Sequence, residues 1–504
     1  MILRATLPSL NFNIRHPGRL FIDGGWQPAS GRREHEIISP ANANRLGAVP
    51  LADRDDVDAA VSAARKAFDQ GPWPHMSGGD RAALLRRVAE LLRERLEETA
   101  TALTMEMGAP FSRAKKSATR AAQLFDQYAE VAATYPIEET RRREDGGNAV
   151  VVGEPVGVVA AIIPWNAPAL VAALKVAPAL AAGCTVILKP PPETALDSYI
   201  LAECIEEAGL PSGVFNLLIA DAQHSDLLVR HPGVDKISFT GSTGVGRHIL
   251  SVASERVARV ALELGGKSPA IVLDDADPAL VAEQMTEEVI GNSGQVCAAL
   301  TRLIVPRGQE SDYADRLADR LAHVKVGDPF DPETKMGPLA MSRHLDLVMT
   351  NIQRGVDEGA KLRYGGDRPA DAGDGFYLKP AVFENVEPGM TIAREEVFGP
   401  VLAILGHDGP DSAVEIANDS VYGLHGCVFT ADRSVAYQLA RRMRTGSVGH
   451  NRRMIDWGMP FGGFKQSGLG REGGVEGFEQ FLEPKTIYVE SAPVSAPPEE
   501  HIDP

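Results

Sequence analysis

The sequence predicts an α/β protein built around a parallel β-sheet. From residue 150 onward, short apolar runs typical of buried strands alternate with longer helical runs, which is the pattern of βαβ units. The chain has 504 residues, of which 44% are apolar and 24% are charged, and this composition is typical of globular proteins that bury large cores. At about 150 residues per domain, the length predicts two to four domains.

The region before residue 150 is predicted to be mainly helical. Residues 1–18 are expected to form an irregular leader, and Leu20–Trp26 a short strand closed by a turn. Asp53–Phe68 begins with acidic and ends with basic residues, as the dipole of a helix favours. Further helices are predicted over Gly79–Met107, whose dense charge we interpret as a solvated face, and over Ser112–Tyr135.

The alternating region supplies the predicted sheet. Its strands are expected at Val150–Val152, Val156–Ile163, Thr185–Lys189, Phe215–Ile219 and Asp235–Phe239. One helix is expected at Ala169–Ala182, a second ends at Ala208, and a third follows Gly246. Ligands of parallel sheets bind at the carboxyl ends of the strands. Asn166, Lys189 and Ser242 all follow predicted strand ends, so we expect them near a ligand.

A second α/β segment is predicted from Pro269 to about residue 470. Its strands are expected near Ile271–Val272, Leu303–Val305 and Val401–Ile404. Lys485–Val489 is predicted as a lone strand that pairs elsewhere, and Ser491–Pro504 as a disordered acidic, proline-rich tail.

Charge and cysteine usage exclude several classes of protein. The formal net charge of −17 argues against binding to nucleic acid or to an anionic membrane. The longest apolar run, Val156–Ile163, is too short to span a bilayer, and no signal peptide is expected in residues 1–20. The cysteines are too few for a disulfide scaffold and form no CxxC pair, which predicts a reducing, cytoplasmic location and no metal site. Three of them are expected in the core: Cys184, Cys204 and Cys427.

Cys297 is the candidate nucleophile. It lies among small residues in Gly291-Asn-Ser-Gly-Gln-Val-Cys-Ala-Ala299, and upstream Glu263 lies among apolar residues and glycines. A thiol and a carboxylate that converge in space can serve as nucleophile and base, although a lone cysteine is more often a buried core residue. The Asn166 amide could donate to an oxyanion, as could the Cys297 backbone N–H, with a turn asparagine as the alternative.

The run Phe239-Thr-Gly-Ser-Thr-Gly-Val-Gly246 is a candidate phosphate site. A strand ends there at a glycine turn, and the following helix can direct N–H groups at a phosphate, with an ordinary turn as the alternative. Lys189 would add a donor to ribose or phosphate, unless it is a surface lysine. Gly468–Gly473 matches GxGxxG, but no predicted strand precedes it, so it is interpreted as a loop. Gly266-Lys-Ser268 is no P-loop, because Ala261 occupies the position of the required glycine.

Taken in order, these motifs resemble one family over residues 20–490. The chain closely resembles the aldehyde dehydrogenase superfamily in Pro-Trp-Asn166, Leu-Lys189-Pro, Phe-Thr-Gly-Ser-Thr243, Glu263-Leu-Gly-Gly-Lys-Ser-Pro, Gly-Gln-Val-Cys297, Glu-Glu396-Val-Phe-Gly-Pro and Pro-Phe-Gly-Gly-Phe-Lys-Gln-Ser-Gly468. The resemblance implies a non-acylating oxidation of an aldehyde to the acid with NAD(P). It implies three parts: a Rossmann-like parallel-sheet cofactor domain (1–135 and 154–265), an α/β catalytic domain (266–470), and a small β oligomerisation element with the tail (136–153 and 471–504). It also implies a homodimer or homotetramer.

The resemblance also implies roles for individual residues. Cys297 would attack the carbonyl, Asn166 would hold the oxyanion and Glu263 would activate the hydrolytic water. Glu472 matches a position linked to proton relay, with a solvated loop acid as the alternative. The implied cofactor residues are Pro164, Trp165, Lys189, Phe239, Gly241, Ser242, Gly246, Leu264, Glu396 and Phe398. The implied substrate residues are Ala167, Val171, Leu174, Val296, Ala298 and Trp457.

Departures from the family pattern bear on cofactor and substrate. Pro192 replaces a glutamate that many NAD-preferring members carry, so NADP stays an alternative to NAD, which is favoured because no basic residue lies within Pro190–Thr194. The tunnel positions are mostly small or aliphatic, which predicts a medium-chain, terpenoid or aromatic aldehyde; Arg452 and Arg453 leave a carboxylate-bearing substrate open. The alternatives are a coenzyme A-acylating enzyme, against which Glu263 argues, a catalytically silent binding protein, and a plain cysteine hydrolase.

Overall fold

The structure is a computed structural model that describes residues 13–488. Its strands are β1 (Leu20–Ile22), β2 (Gly25–Gln27), β3 (Glu34–Ile38), β4 (Arg45–Pro50), β5 (Glu138–Arg142), β6 (Asn148–Pro155), β7 (Val158–Ile162), β8 (Thr185–Lys189), β9 (Phe215–Leu217), β10 (Lys236–Thr240), β11 (Arg259–Glu263), β12 (Ser268–Val272), β13 (Leu300–Pro306), β14 (Lys361–Tyr364), β15 (Ala381–Glu384), β16 (Val401–His407), β17 (His425–Phe429), β18 (Ser447–His450), β19 (Gly468–Leu469) and β20 (Leu482–Ile487). The first part of the predicted leader, residues 1–12, and the predicted tail Ser491–Pro504 lie outside the described residues.

The helices pack on the faces of these strands. They are α1 (Arg54–Asp69), α2 (Gly78–Glu94), α3 (Leu96–Met107), α4 (Phe111–Thr134), α5 (Pro168–Ala182), α6 (Leu196–Ala208), α7 (Ala222–Arg230), α8 (Thr243–Ser254), α9 (Pro278–Ile290), α10 (Glu310–Ala322), α11 (Ser342–Asp357), α12 (Thr391–Arg394), α13 (Pro410–Asn418), α14 (Arg433–Arg442) and α15 (Glu476–Glu479).

Two large sheets organise the fold. The first has eight strands in the order β19-β11-β10-β7-β8-β9-β1-β2, and the second has seven in the order β14-β15-β16-β13-β12-β17-β18. Strands β7, β8, β9, β10 and β11 are mutually parallel, as the alternating apolar and helical runs predict. The predicted α/β fold with Rossmann-like parallel sheets is therefore confirmed.

The small third sheet joins two distant segments. Its order is β20-β6-β5, and β20 runs antiparallel to β6 from the pair Leu482–Pro155 to the pair Ile487–Val150. The predicted terminal strand thus pairs within the chain. It begins at Leu482, three residues before the predicted start at Lys485. Separately, β19 joins the first sheet beside β11, so the first sheet takes strands from three stretches of sequence. The domain boundaries stay a prediction.

Three local predictions need correction. Leu20–Trp26 is a hairpin of two strands, because Asp23 and Gly24 adopt positive φ angles of 52° and 78° and reverse the chain. The run Gly79–Met107 is two helices, which meet at Arg95 with φ −103° and ψ 20°. The Arg95 guanidinium pairs there with buried Glu203, Nη1 to Oε2, at 2.5 Å. The run Gly468–Gly473, expected to be a loop, contains the two-residue strand β19.

The core lies between the sheets and their helices. Helix α5 is apolar on nearly every side and almost entirely buried, as expected for a helix enclosed by other elements. Cys184, Cys204 and Cys427 are buried, which confirms their predicted core positions. Within residues 13–488, no helix is long and apolar enough to cross a membrane.

Candidate active site

The predicted ligand-binding side chains converge because neighbouring strands end together. Ile162 of β7 is in register with Lys189 of β8 and with Phe239 of β10, and Thr240 is in register with Glu263 of β11. Parallel strands in register place their carboxyl ends at one edge of the sheet. The segments that carry Asn166, Lys189, Ser242 and Glu263 therefore all leave the sheet at this edge.

A cavity of about 780 Å³ opens between this edge and the second sheet. It is lined by most of the predicted site residues: Pro164, Trp165, Asn166, Ala167, Val171, Leu174, Gly241, Ser242, Glu263, Leu264, Val296, Cys297, Ala298, Glu396, Phe398, Trp457 and Glu472. Lys189, Phe239 and Gly246 do not line it. Most of the residues predicted from sequence thus line the same cavity. Their individual roles stay predictions.

An unusual loop presents Cys297 to the cavity. Asn292, Ser293 and Gly294 adopt φ angles of 55°, 55° and 73°, a left-handed run that costs free energy for residues with a side chain. Gln295, fully buried, holds the loop closed: its Nε2 donates to the Asn292 carbonyl at 3.0 Å, and its Oε1 accepts from the Ala340 N–H at 2.9 Å. Such strain persists only where the surroundings enforce it, so the loop is a rigid support for the thiol.

Asn166 is tied directly to this loop. Its Nδ2 donates to the Gln295 carbonyl at 2.9 Å, and its own carbonyl accepts from Asn292 Nδ2 at 3.0 Å. A side-chain amide has two N–H donors, so one is left for a ligand in the cavity. These bonds orient the amide beside Cys297, where an oxyanion would need a donor.

Glu263 and Cys297 lie close enough to affect each other's ionisation. Burial, and then the nearby charge of Glu472, raise the pKa of the Glu263 carboxyl well above its usual range. Burial, followed by the charge of Glu263, raises the pKa of the Cys297 thiol. Within residues 13–488, the Glu263 Oε1 atom has no hydrogen-bond partner. A buried, unsatisfied carboxyl beside a thiol suits a group that exchanges protons with substrate or water.

Glu472 is a buried residue, so its interpretation as a solvated loop acid is wrong. Its backbone bridges to Phe461, with N–H to carbonyl distances of 2.7 and 2.6 Å. Its Oε1 accepts from the ammonium of Lys175, which also donates to Ser238 Oγ at 3.2 Å. Sequence reasoning missed Lys175, although it is the single charged residue of α5, and a lone lysine in an apolar helix is itself a signal.

Two glycines let Glu396 and Cys297 approach the end of β11. Glu396 Oε1 accepts from the Gly266 N–H at 2.9 Å. A Cβ on Gly265 would lie 2.3 Å from Glu396 Oε2, and one on Gly266 would lie 2.3 Å from the Cys297 carbonyl oxygen. Burial raises the pKa of Glu396 to about 7. Only glycine fits at either position, since a side chain would displace a site residue.

An aromatic cluster forms one wall of the cavity. Trp165 lies edge-on to Phe398 with ring centroids 5.4 Å apart, and His344 lies 5.1 Å from Trp165. Burial lowers the pKa of His344, which favours its neutral form. The Phe398 carbonyl, 2.7 Å from His344 Nε2, can only accept a hydrogen bond, which assigns the proton to Nε2 as the donor. This bond supports Phe398 in its left-handed conformation, φ 57°. Sequence reasoning missed His344, which lies on α11 outside every motif.

The glycine turn before α8 leaves the N-terminus of this helix open. Ser242 caps the helix by accepting from the Val245 N–H at 3.4 Å, and no atom lies within 4 Å of a Cβ placed on Gly244. The positive end of α8 is therefore open to a phosphate. Gly246 is required for packing, since its Cβ would lie 2.6 Å from Leu264. Burial lowers the pKa of Lys189, at the end of β8, to about 8.

The remaining walls of the cavity are apolar and also carry charged side chains, of which the sequence analysis named only Arg453. Trp457 and Phe461 lie edge-on with centroids 5.1 Å apart. Further apolar lining comes from Leu103, Met107, Leu170 and Ile455. Four cations also line the cavity: Arg113, Lys116, Arg120 and Arg453. Arg452 does not.

Comparison with known proteins agrees with this geometry. The sequence profile of the aldehyde dehydrogenase family matches residues 26–487, so the chain belongs to that family. It is 42% identical over 471 residues to geranial dehydrogenase of Castellaniella defragrans, covering 93% of this chain and 98% of the relative. It is 43% identical over 479 residues to 3-succinoylsemialdehyde-pyridine dehydrogenase of a Pseudomonas species, covering 94% and 99%. A cysteine-to-alanine mutant of aldehyde dehydrogenase C from Pseudomonas syringae, solved with NAD+ and octanal, superposes with a TM-score of 0.92 at 40% identity, covering 95% and 98%.

Proposed function

We propose that this protein oxidises a medium-sized aldehyde with an apolar body to its carboxylic acid, with NAD+ as the acceptor. The observation that carries the proposal is the convergence of Cys297, Glu263 and Asn166 in one cavity beside the open end of α8. The similarity to a geranial dehydrogenase and to an enzyme solved with octanal supports an apolar substrate. The apolar walls around Trp457 and Phe461 match such a chain.

Covalent catalysis begins at Cys297. Its sulfur attacks the carbonyl carbon while the thiol proton passes to Glu263. The Asn166 amide and the Cys297 N–H then donate to the oxyanion of the thiohemiacetal. NAD+, when bound, would supply the acceptor for the hydride of the former aldehyde carbon, and loss of that hydride leaves a thioester on Cys297.

Hydrolysis of the thioester uses the same carboxylate. Once Glu263 has given up the thiol proton, it takes a proton from water, whose oxygen attacks the thioester carbon. Collapse of the tetrahedral intermediate expels the Cys297 thiolate, which takes this proton back from Glu263, and the acid leaves. Glu472 lies close enough to Glu263 for its charge to raise the Glu263 pKa, and it pairs with Lys175. We infer that Glu472 carries the released proton away from Glu263.

We infer that Lys189, Ser242 and the first turn of α8 hold the adenosine and diphosphate, and that Glu396, Trp165 and Phe398 hold the nicotinamide end. The 3₁₀ turn Pro192–Thr194 presents no acid at its first position, so NADP stays the alternative. NAD is favoured for two reasons. Glu193 of this turn places a negative charge near Lys189. Arg343 already forms an ion pair with Glu193, so it is not free to bind the additional phosphate of NADP.

A parallel assay of the purified chain tests the proposal. NADH and NADPH formation is followed with acetaldehyde, octanal and benzaldehyde, with and without coenzyme A. We expect octanal and benzaldehyde to be oxidised with NAD+ to free acids, and Cys297→Ala to abolish turnover while NAD+ still binds. An acyl-coenzyme A product would establish the acylating alternative. Ester cleavage together with no oxidation of any aldehyde would establish the hydrolase, and the absence of both activities would establish the silent binding protein.

We also infer that β5, β6 and β20 form an oligomerisation element in a homodimer or homotetramer. All five residues of β5 are exposed at the edge of this small sheet, where main-chain groups are free to pair with a second copy. Light scattering on the full chain tests this, and a monomer would contradict it.

A cytoplasmic location stays a prediction from its four unpaired cysteines.

A further inference from the structure

Three of the cations that line the cavity come from one helix face. Arg113, Lys116 and Arg120 are spaced three and four residues apart on α4, so they lie in a row about 10 Å long. Lys116 is exposed to solvent, which places this row at the mouth of the tunnel. The chain as a whole has a net charge of −17, so the positive charge at the tunnel mouth does not follow from its overall composition.

The carboxylates of the cavity act on the thiol and on one another. Glu263, Glu396 and Glu472 surround the thiol, since Glu263 and Glu396 raise the Cys297 pKa and Glu472 raises that of Glu263. The charges that affect Arg113 are instead those of Arg453, Glu288 and Glu287. Arg453 acts on both Cys297 and Arg113, whereas the carboxylates Glu263 and Glu396 act on Cys297 and the three cations of α4 line the cavity from one helix face.

Arg113 differs from the other arginines of the tunnel in having no internal partner. Arg453 Nε donates to Glu288 Oε1 at 2.8 Å, and Arg120 lies 3.7 Å from Asp456. Across residues 13–488, no hydrogen bond or ion pair reaches the Arg113 guanidinium, although burial and then Arg453 lower its pKa. Arg113 is half-buried, and Glu288 and Glu287 act on it only through space, so its guanidinium N–H groups are free to donate to an anion in the cavity.

We propose that Arg113 binds the distal carboxylate of the substrate, which is an aldehyde at one end and a carboxylate at the other, joined by an apolar chain. This inference rests on the proposed function and names its substrate class. The planar guanidinium matches a carboxylate with two parallel hydrogen bonds, and Lys116 and Arg120 attract the anion to the mouth. The apolar walls of Val171 and Trp457 then enclose the chain.

A matched pair of substrates tests the proposal. Octanal and 8-oxooctanoate have the same number of carbons and differ in the distal carboxylate. We expect the wild type to have a lower KM for 8-oxooctanoate, and Arg113→Gln to raise that KM about tenfold or more while kcat/KM for octanal changes less than about twofold. Lys115→Gln is the control, because Lys115 is the neighbour on α4 that pairs with exposed Glu97 at 2.9 Å and does not line the cavity. Equal effects of Arg113→Gln on both aldehydes would overturn the proposal.

Equilibrium binding separates this inference from the proposed function. Calorimetry with 8-oxooctanoate compares Cys297→Ala with Cys297→Ala/Arg113→Gln, and neither variant needs to turn over. Weaker binding to the double variant, again by about tenfold or more, supports the carboxylate site even if no NADH forms with any aldehyde. Equal binding to both variants would overturn the site and leave aldehyde oxidation unaffected.

Discussion

The Lys175 ammonium and the Glu472 carboxylate form an ion pair inside the protein, although 297 residues separate them in sequence. The Lys175 side chain is fully buried, and that of Glu472 is 8% exposed. We expect Lys175→Met to lower the free energy of unfolding by about 3–5 kcal/mol, because it leaves a buried carboxylate without its partner. Denaturant titration measures this change.

A surface pair and a double variant are the controls for that prediction. Lys115→Met removes the exposed partner of Glu97 and should cost about 0–1 kcal/mol. Lys175→Met combined with Glu472→Gln should be less destabilised than Lys175→Met alone, since no buried charge is left unpaired. Equal costs for Lys175→Met and Lys115→Met would contradict a buried, charged pair.

Gly294 is the least replaceable residue of the nucleophile loop. Its φ is 73°, and an added Cβ would lie 2.1 Å from both the carbonyl carbon and the oxygen of Gly399. Gly294→Ala should therefore cost more than the roughly 1–2 kcal/mol of left-handed strain alone, and should also lower kcat by displacing Cys297. Gly308→Ala is the control, because Gly308 has a similar φ of 89° and open space around it. Thermal unfolding measures the loss of stability in both variants. An equal loss in Gly294→Ala and Gly308→Ala would contradict the prediction.

Glu263→Gln should separate the two halves of the reaction. The glutamine can take a proton neither from the thiol nor from water; the thiol can still lose its proton to solvent, so hydrolysis should be slowed more than hydride transfer and the thioester should accumulate. We expect a burst of NADH of about one equivalent per active site, followed by a slow steady state. Stopped-flow absorbance measures the burst, and a steady state as fast as that of the wild type would show that Glu263 is not the hydrolytic base.

The rate should rise with pH from mildly acidic to alkaline solution. The pKa values of Glu263 and Cys297 are both raised, mainly by burial, so at low pH both hold their protons and neither base nor thiolate is available. As pH rises, the coupled pair loses a proton and kcat/KM increases. A pH profile of kcat/KM with octanal checks this. Glu263→Gln should change its acid limb, and a profile that is flat from mildly acidic to alkaline pH would contradict it.

The sequence by itself determined most of the elements and the candidate reacting residues, because both are encoded in local patterns. The strand Thr185–Lys189 has the bounds that its apolar run and flanking residues predict. Cys297, Glu263 and Asn166 were found because small residues, strand ends and glycine turns mark them within a few positions of chain. Elements were misjudged where a single residue breaks a pattern, as at Arg95 between α2 and α3.

Tertiary structure alone decided which distant side chains share a space. Lys175 meets Glu472, His344 holds Phe398 and Arg113 faces the tunnel without a partner, and none of these relationships has a local signal. Whether a charge is buried, paired or free depends on packing between helices and sheets that are far apart in sequence, and that packing sets its pKa and its capacity to bind an anion. The motifs therefore identify the reaction, whereas the packed structure suggests what the distal end of the substrate carries.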